Sequence, residues 1–441
     1  MLQTSSSSRS SHRGLTVQEV TTLISDAFPS KNLEVVNFSL KPFSSDKLGY
    51  LGVHELLTVE SRERDGDIKS LTFFVKSVAP TCNDFDLMIF REEANFFGKV
   101  VPRLLWNESE EFWAAKCYLA RDDLMVLEDL RSEGFKVNSC LLQDCQLRGA
   151  MVSIARFHAA SMLLEWKSRE PLNKVYPGFF KEKVFINDGG FAWKWLLTGI
   201  EVAEAVALKL GLEPKHASAA YHIMLESVKP SKDQRNVLCH GDLWSNNMLF
   251  KESEEDGTSC CKLVDFQLVG YACYTIDVMQ LLHLNTNATT RQRLERELIQ
   301  LYHSVLAENL RKGGLEENRI IGLEEIFRDT ESKRICGIVA AVQYFPIALL
   351  NKELALEYCR DVNKLEEYMY SSRKDFVFRA MTLDENYRVR VEESVRELSE
   401  FMQNNINLTR VTRTIISSLI AEILPSKQLT FTKFQVKPFS S

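Results

Sequence analysis

Two short stretches of this chain carry polar residues whose types, order and spacing suit phosphoryl transfer. Val237-Leu-Cys-His-Gly-Asp-Leu-Trp-Ser-Asn-Asn-Met-Leu-Phe250 contains Asp242 and Asn247, and Lys262-Leu-Val-Asp-Phe-Gln267 contains Asp265. A carboxylate such as Asp242 can take the proton from a hydroxyl. An amide oxygen and a second carboxylate, Asn247 and Asp265, can hold Mg²⁺ against the phosphates of ATP. Each stretch is an apolar, strand-like run that delivers its polar residue at the end. Either fragment alone reads equally well as a surface turn or an ordinary strand end. Both together, in this order, make the signal specific.

Other residues must place those three. Lys76 ends the run Phe73-Phe-Val-Lys76, the third strand of a small sheet, from which a lysine can reach the α- and β-phosphates. Glu93 follows Phe90 by three residues and precedes Phe97 by four, on the helix face that docks against that sheet. A carboxylate there needs a cation, and Lys76 is the candidate; Glu92 would point away. Gly49 and Gly52 lie between the first two strands, where backbone amides can cover phosphates. That signal is weak, because glycines are common in hairpins. Met125-Val-Leu-Glu-Asp-Leu130 leaves an apolar strand for a polar loop, as a hinge between lobes would. Backbone groups near Glu128 and Leu130 can pair with adenine there, while Asp129 can equally cap the following turn. His158 reads as a packed core histidine. His240 reads as a brace for the catalytic loop rather than its base. Asp277 opens a helix just after Asp265 and is placed to cap loop amides.

The coarse element pattern fits such a site. A short amphipathic helix spans Leu15 to Ala27, followed by strands over Leu33 to Leu40, Leu51 to Val59 and Leu71 to Ser77. The charged run Glu60 to Asp67 reads as a hairpin loop. A helix covers Phe85 to Val100, and two more strands follow at Tyr118 to Arg121 and Leu124 to Leu127. Beyond about residue 138 the chain turns helical: Cys140 to Trp166, Gly190 to Leu210, Lys215 to Val228, Thr275 to Leu284, Thr289 to Lys312, Gly322 to Leu350 and Asp384 to Gln403. This implies an α+β fold of two lobes, a small mixed-sheet lobe over residues 15–127 and a mostly helical lobe over 128–407. The aromatics Trp244, Phe179, Phe180, Phe191 and Trp193 read first as core and second as an apolar acceptor pocket.

With 441 residues there is enough chain for two or three lobes with real cores. Hydrophobic content of 45 % and charged content of 26 % describe an ordinary soluble protein. The net charge of −6 argues against a nucleic-acid partner. No apolar run approaches the roughly 18 residues of a membrane span. The Ser-rich stretch Met1 to Gly14 lacks the apolar segment of a secretory signal and reads as a disordered tail. Ten cysteines without paired spacing read as reduced thiols in a cytoplasmic protein. Thr412 to Ser441 repeats Thr16 to Ser45 without gaps, including Leu-Ile, Pro-Ser-Lys and the closing Lys-Pro-Phe-Ser-Ser. A second, tandem copy that starts near residue 408 and is cut short is the reading this supports.

These motifs resemble the ecdysteroid kinase-like (CHK kinase-like) family of arthropods, in the choline kinase and aminoglycoside phosphotransferase branch of the protein-kinase-like superfamily. Cys239-His-Gly-Asp-Leu-Trp-Ser-Asn-Asn-Met248 and Val264-Asp-Phe-Gln267 look like the family's two hallmark blocks. Val126-Leu-Glu-Asp-Leu130, Ala155-Arg-Phe-His-Ala159 and Phe90-Arg-Glu-Glu-Ala-Asn-Phe-Phe97 look like three more. The resemblance implies Asp242 as catalytic base, Asn247 and Asp265 as Mg²⁺ ligands, and Lys76 paired with Glu93 on the phosphates of ATP. It implies a small-molecule alcohol as substrate, an ecdysteroid or a xenobiotic. Gly241 and Gln267 depart from protein kinases, and only about a dozen residues separate Asp265 from Asp277, too few for a long activation segment. A protein substrate is therefore not expected. The alternative is a catalytically silent binding protein for a hormone or xenobiotic.

Overall fold

A computed structural model describes residues 14–29, 32–43, 52–63, 66–79, 82–104, 112–138, 141–359 and 361–406. The Ser-rich N-terminal stretch, Gly49 and the repeat copy from Thr412 lie outside the described residues.

Helix α1 (Val17–Ala27) starts on a reciprocal cap: the Thr16 hydroxyl accepts from Glu19 N, and the Glu19 carboxylate accepts from Thr16 N. Its buried stripe, Val20, Leu23 and Ile24, packs on Leu57, Val59, Phe73, Val75, Leu124 and Val126 of the sheet beneath. That sheet has five antiparallel strands in the order β1-β2-β3-β5-β4. They are β1 (Leu33–Pro42), β2 (Val53–Glu63), β3 (Ile68–Ser77), β4 (Cys117–Ala120) and β5 (Leu124–Glu128). The charged run is not all loop. Glu60, Ser61 and Arg62 of β2 pair with Ser70, Lys69 and Ile68 of β3, because a main-chain ladder forms whatever the polarity of its exposed side chains.

Helix α2 (Asp84–Asn95) is capped by Asn83 and Asp86 and buries Ile89, Phe90, Glu93 and Ala94. The single helix expected over Phe85 to Val100 is interrupted. A π turn at Phe96–Val100 widens the coil and buries Phe96, Phe97 and Val100 before a last turn at Val101–Leu104. One extra residue per turn lets the neighbours Phe96 and Phe97 both reach the core, and both contact Phe266.

The large lobe is built on the helix Asp144–Ser168, which is buried along most of its length. Two small sheets carry the motif strands: β7 (Asn236–Cys239) pairs with β10 (Gly270–Cys273), and β8 (Met248–Glu252) lies between β6 (Lys136–Val137) and β9 (Ser259–Leu263). On β9, Cys261 is buried and its neighbour Cys260 is half-buried, as alternation requires. The helix Thr275–Asn285 is buried at every position. The single helix expected over Gly322 to Leu350 is two, Leu323–Ser332 and Arg334–Ala348, joined at Lys333. No glycine or proline marks that joint. Lys333 leaves helical geometry while its ammonium donates to Ser227 O. The helices Lys352–Cys359, Val362–Tyr370 and Lys374–Leu383 had no counterpart in the sequence reading. The fold is the two-lobed kinase-like α+β architecture. No helix among the described residues is long and apolar enough to cross a membrane.

Candidate active site

The site lies between the lobes, in a cleft of about 1180 Å³. Lys76 enters from β3, whose neighbours β2 and β5 flank it. Its ammonium is buried and meets Glu93 Oε2 at 2.6 Å and Asp265 Oδ1 at 2.7 Å. Burial alone would lower the lysine's pKa, but Asp265 and Glu93 outweigh it and the net shift is upward. The ammonium form is thus locked in. Glu93 spends its other oxygen on the amide of Phe266, at 2.9 Å. One carboxylate therefore ties α2 both to the sheet and to the segment that presents Asp265.

Asp265 holds a left-handed backbone, with φ at 66°, which only a few residue types tolerate. The conformation turns its carboxylate back into the cleft, where the side chain is 31 % exposed. Strain of this kind concentrates at functional sites.

The loop from β7 to β8 is braced from below. Asp277 is fully buried and accepts from His240 N at 2.6 Å and Gly241 N at 3.0 Å. Its Oδ2 also meets His158 Nε2 at 3.1 Å, and His158 Nδ1 meets the Tyr302 hydroxyl at 2.8 Å. His240 Nε2 bonds Val264 O at 2.9 Å, while its Nδ1 accepts from Asp242 N at 3.3 Å. Burial lowers the His240 pKa, so the ring is neutral with its proton on Nε2. Both ring nitrogens are occupied, which leaves no lone pair for a substrate proton. Gly241 adopts φ of 78°, and a Cβ there would lie 2.6 Å from Leu268 O. Only glycine fits.

Asp242 is 6 % exposed and lines the cleft. Asn247 Nδ2 donates to its Oδ2 at 2.7 Å and to its carbonyl at 2.9 Å. With that nitrogen committed, the amide oxygen of Asn247 is the atom left to take a cation. Burial, then the charge of Asp265, pushes the Asp242 pKa up to about 7.

Gly52, Glu128 and Leu130 also line the cleft. Gly52 has φ of 86°, and a Cβ there would lie 3.2 Å from Ser77 O. Leu130 N closes on Glu128 O at 3.2 Å, a weak three-residue turn that an adenine edge would have to replace. The Asp129 side chain does not cap the following turn: its carboxylate accepts from Thr72, and its backbone carbonyl takes the Ser132 amide. It thereby fastens the connection between lobes to β3.

Part of the cleft wall is apolar. Trp244 and Phe191 line it, as do Trp195, Tyr344, Leu365, Met369 and Tyr370. Phe180 belongs to the core, and Phe179 and Trp193 pack against it. Helical spacing could have separated these aromatics. Phe191 and Trp195 stand four residues apart on one face of the helix Phe191–Lys209, and Trp193 falls between them on another. Tyr344 and the residues at 365–370 carried no sequence signal. Nor did Lys183, which borders the cleft and pairs with Glu92 at 2.6 Å.

Among solved structures, a Plasmodium vivax ethanolamine kinase aligns at 13 % identity and TM-score 0.38, over 85 % of this chain and 89 % of its own. The GDP complex of a wild-type aminoglycoside 2′-phosphotransferase aligns at 12 % and 0.35, over 84 % and 99 %. A choline kinase from Streptococcus pneumoniae aligns at 11 % and 0.31, over 79 % and 99 %. No curated protein matches the chain. A family model does match, over residues 49–315, more than half of the sequence and the whole of the site from Lys76 to Asp277. By that match the chain belongs to the ecdysteroid kinase-like family.

Proposed function

We propose that this small-molecule kinase transfers the γ-phosphoryl group of ATP, with Mg²⁺, to a hydroxyl of a bulky apolar alcohol, an ecdysteroid or a xenobiotic. One observation carries the reading: Lys76, Glu93 and Asp265 form a closed ion network within the cleft that also holds Asp242. Family membership supports the reaction class. The apolar end of the cleft supports the acceptor class.

The residues fit a hard dication, which takes oxygen ligands. Asp265 offers the oxygen not paired with Lys76, and Asn247 offers its amide oxygen. When bound, Mg²⁺ would neutralise charge on the transferring phosphate. Lys76 contributes a fixed positive charge toward the phosphates. Asp242 accepts the proton of the acceptor hydroxyl, and a pKa near the working pH suits that task. Tyr344 stands beside Asp242, and the trench of Trp195 and Phe191 orients the acceptor's apolar body toward it.

The test is nucleotide binding by calorimetry with and without Mg²⁺. Tighter ATP binding with the metal, lost in Asp265→Ala, is the expected result. Metal-independent binding, or no binding at all, contradicts the reading and favours a silent binding protein.

A further inference from the structure

Helix α2 is held from both lobes by adjacent glutamates. Glu93 faces Lys76 of the small lobe. Glu92, one residue earlier and about 100° around the helix, faces Lys183 of the large lobe at 2.6 Å. Lys183 is 5 % exposed and sits on a loop that runs along the segment after Asp265. The Glu182 side chain folds this loop by accepting the amides of Lys183, Val184 and Phe185. The loop is laced to β10, where Tyr271 N donates to Phe180 O at 2.9 Å. Lys183 Nζ also donates to Val269 O at 2.9 Å and to Lys181 O at 3.1 Å.

An ammonium has three donors. Lys183 Nζ gives hydrogen bonds to Val269 O and Lys181 O, and its charge pairs with the Glu92 carboxylate, so protein engages it on three sides although it borders the cleft. A buried lysine held by two carbonyls and one carboxylate of the protein does positional work. We infer that Lys183 is a positioning residue that pins α2 to the large lobe through Glu92 and so holds Glu93 in register with Lys76 and Phe266. The pin joins α2, the 180–185 loop and the segment following Asp265 at one point. The catalytic consequence rests on the kinase reading above; the structural coupling does not.

The experiment compares wild type, Lys183→Met, Glu92→Gln and the double variant. Hydrogen exchange over residues 84–100 reports the register of α2, and Mg-ATP binding and phosphate transfer report the site. Both single variants should speed exchange in that segment and lower kcat on the order of 10- to 100-fold, with the acceptor KM little changed. The double variant should be no worse than either single one, because each removes the same link. Glu92→Gln keeps the lysine's two carbonyl partners, so it serves if Lys183→Met does not fold. Unchanged exchange in Glu92→Gln overturns the inference. So does a Lys183→Met effect confined to acceptor KM and not mimicked by Glu92→Gln, which would make Lys183 a substrate contact. If wild type transfers no phosphate, the kinase reading fails, while the exchange comparison still decides whether the pin exists.

Discussion

Asp242 sets stability against chemistry. Its carboxyl is buried beside Asp265 and titrates at about 7, well above the usual carboxylate range. Two consequences have opposite signs. For activity, the proposed role as base needs the carboxylate form, so kcat/KM should fall about tenfold per pH unit below roughly pH 7. A rate profile flat to pH 5 would remove Asp242 as the base. For stability, the folded state holds the proton more tightly than the unfolded chain, so Asp242 costs stability as pH rises from the usual carboxylate value through about 7. Asp242→Asn should therefore melt higher than wild type at pH 8, by an amount on the order of 1–4 kcal/mol. The gain should vanish near pH 4, while phosphate transfer is abolished throughout. Gly241 is constrained differently. Gly241→Ala must adopt a left-handed backbone and push its Cβ against Leu268 O, so it should lower the melting temperature and disturb the bracing by Asp277. Normal melting and activity in that variant would contradict the close approach.

At the scale of elements, the π turn after α2 matters most. It carries Phe96 onto the face of Phe266, with ring centroids 5.0 Å apart, next to Asp265. Phe96→Ala should cost about 3–5 kcal/mol, read as a lower urea midpoint, and should weaken Mg-ATP binding as the Asp265 segment loosens. The helix itself was legible from Phe90, Glu93 and Phe97, but the turn was not, because a widened turn preserves apolar periodicity while shifting its phase. The strands were legible as short runs beside the motifs, and the candidate polar residues sit in their connections: Asp242 after β7, Asn247 just before β8 and Asp265 after β9. The joint at Lys333 left no mark, since a one-residue break needs no glycine or proline when a side chain and a neighbouring helix end supply the bonds. The three helices between Lys352 and Leu383 were missed because their apolar residues are spent on two surfaces, the core and the cleft. Leu354 and Tyr368 are buried, whereas Leu365, Met369 and Tyr370 line the cleft.

For the whole molecule, the decisive feature is a cleft whose wall is charged in one part and apolar in another. Its volume of about 1180 Å³ exceeds the roughly 300–1,000 Å³ of a typical single-ligand site. That volume is in keeping with the proposed pairing of a nucleotide with an acceptor. The part with Lys76, Asp265 and Leu130 was readable from the sequence because its residues sit in compact local motifs. The apolar part was readable only at Trp244 and Phe191; the rest of its wall, from residues near 184, 195, 344 and 365–370, is brought together only by the fold. This division predicts separable effects. Trp195→Ala should raise the acceptor KM about tenfold and leave the ATP KM unchanged; equal changes in both would mean that the trench does not bind the acceptor. The central claim, phosphate transfer to a small alcohol with Asp242 as base, is tested most directly by mass spectrometry of acceptor mixtures incubated with the protein, ATP and Mg²⁺. The mixtures should include ecdysteroids, plant phenolic alcohols, choline and ethanolamine. An alcohol that gains one phosphate with wild type, and none with Asp242→Asn, is the predicted result. Equal product formation by Asp242→Asn, or the absence of any phosphorylated product together with the absence of Mg-ATP binding, would contradict it.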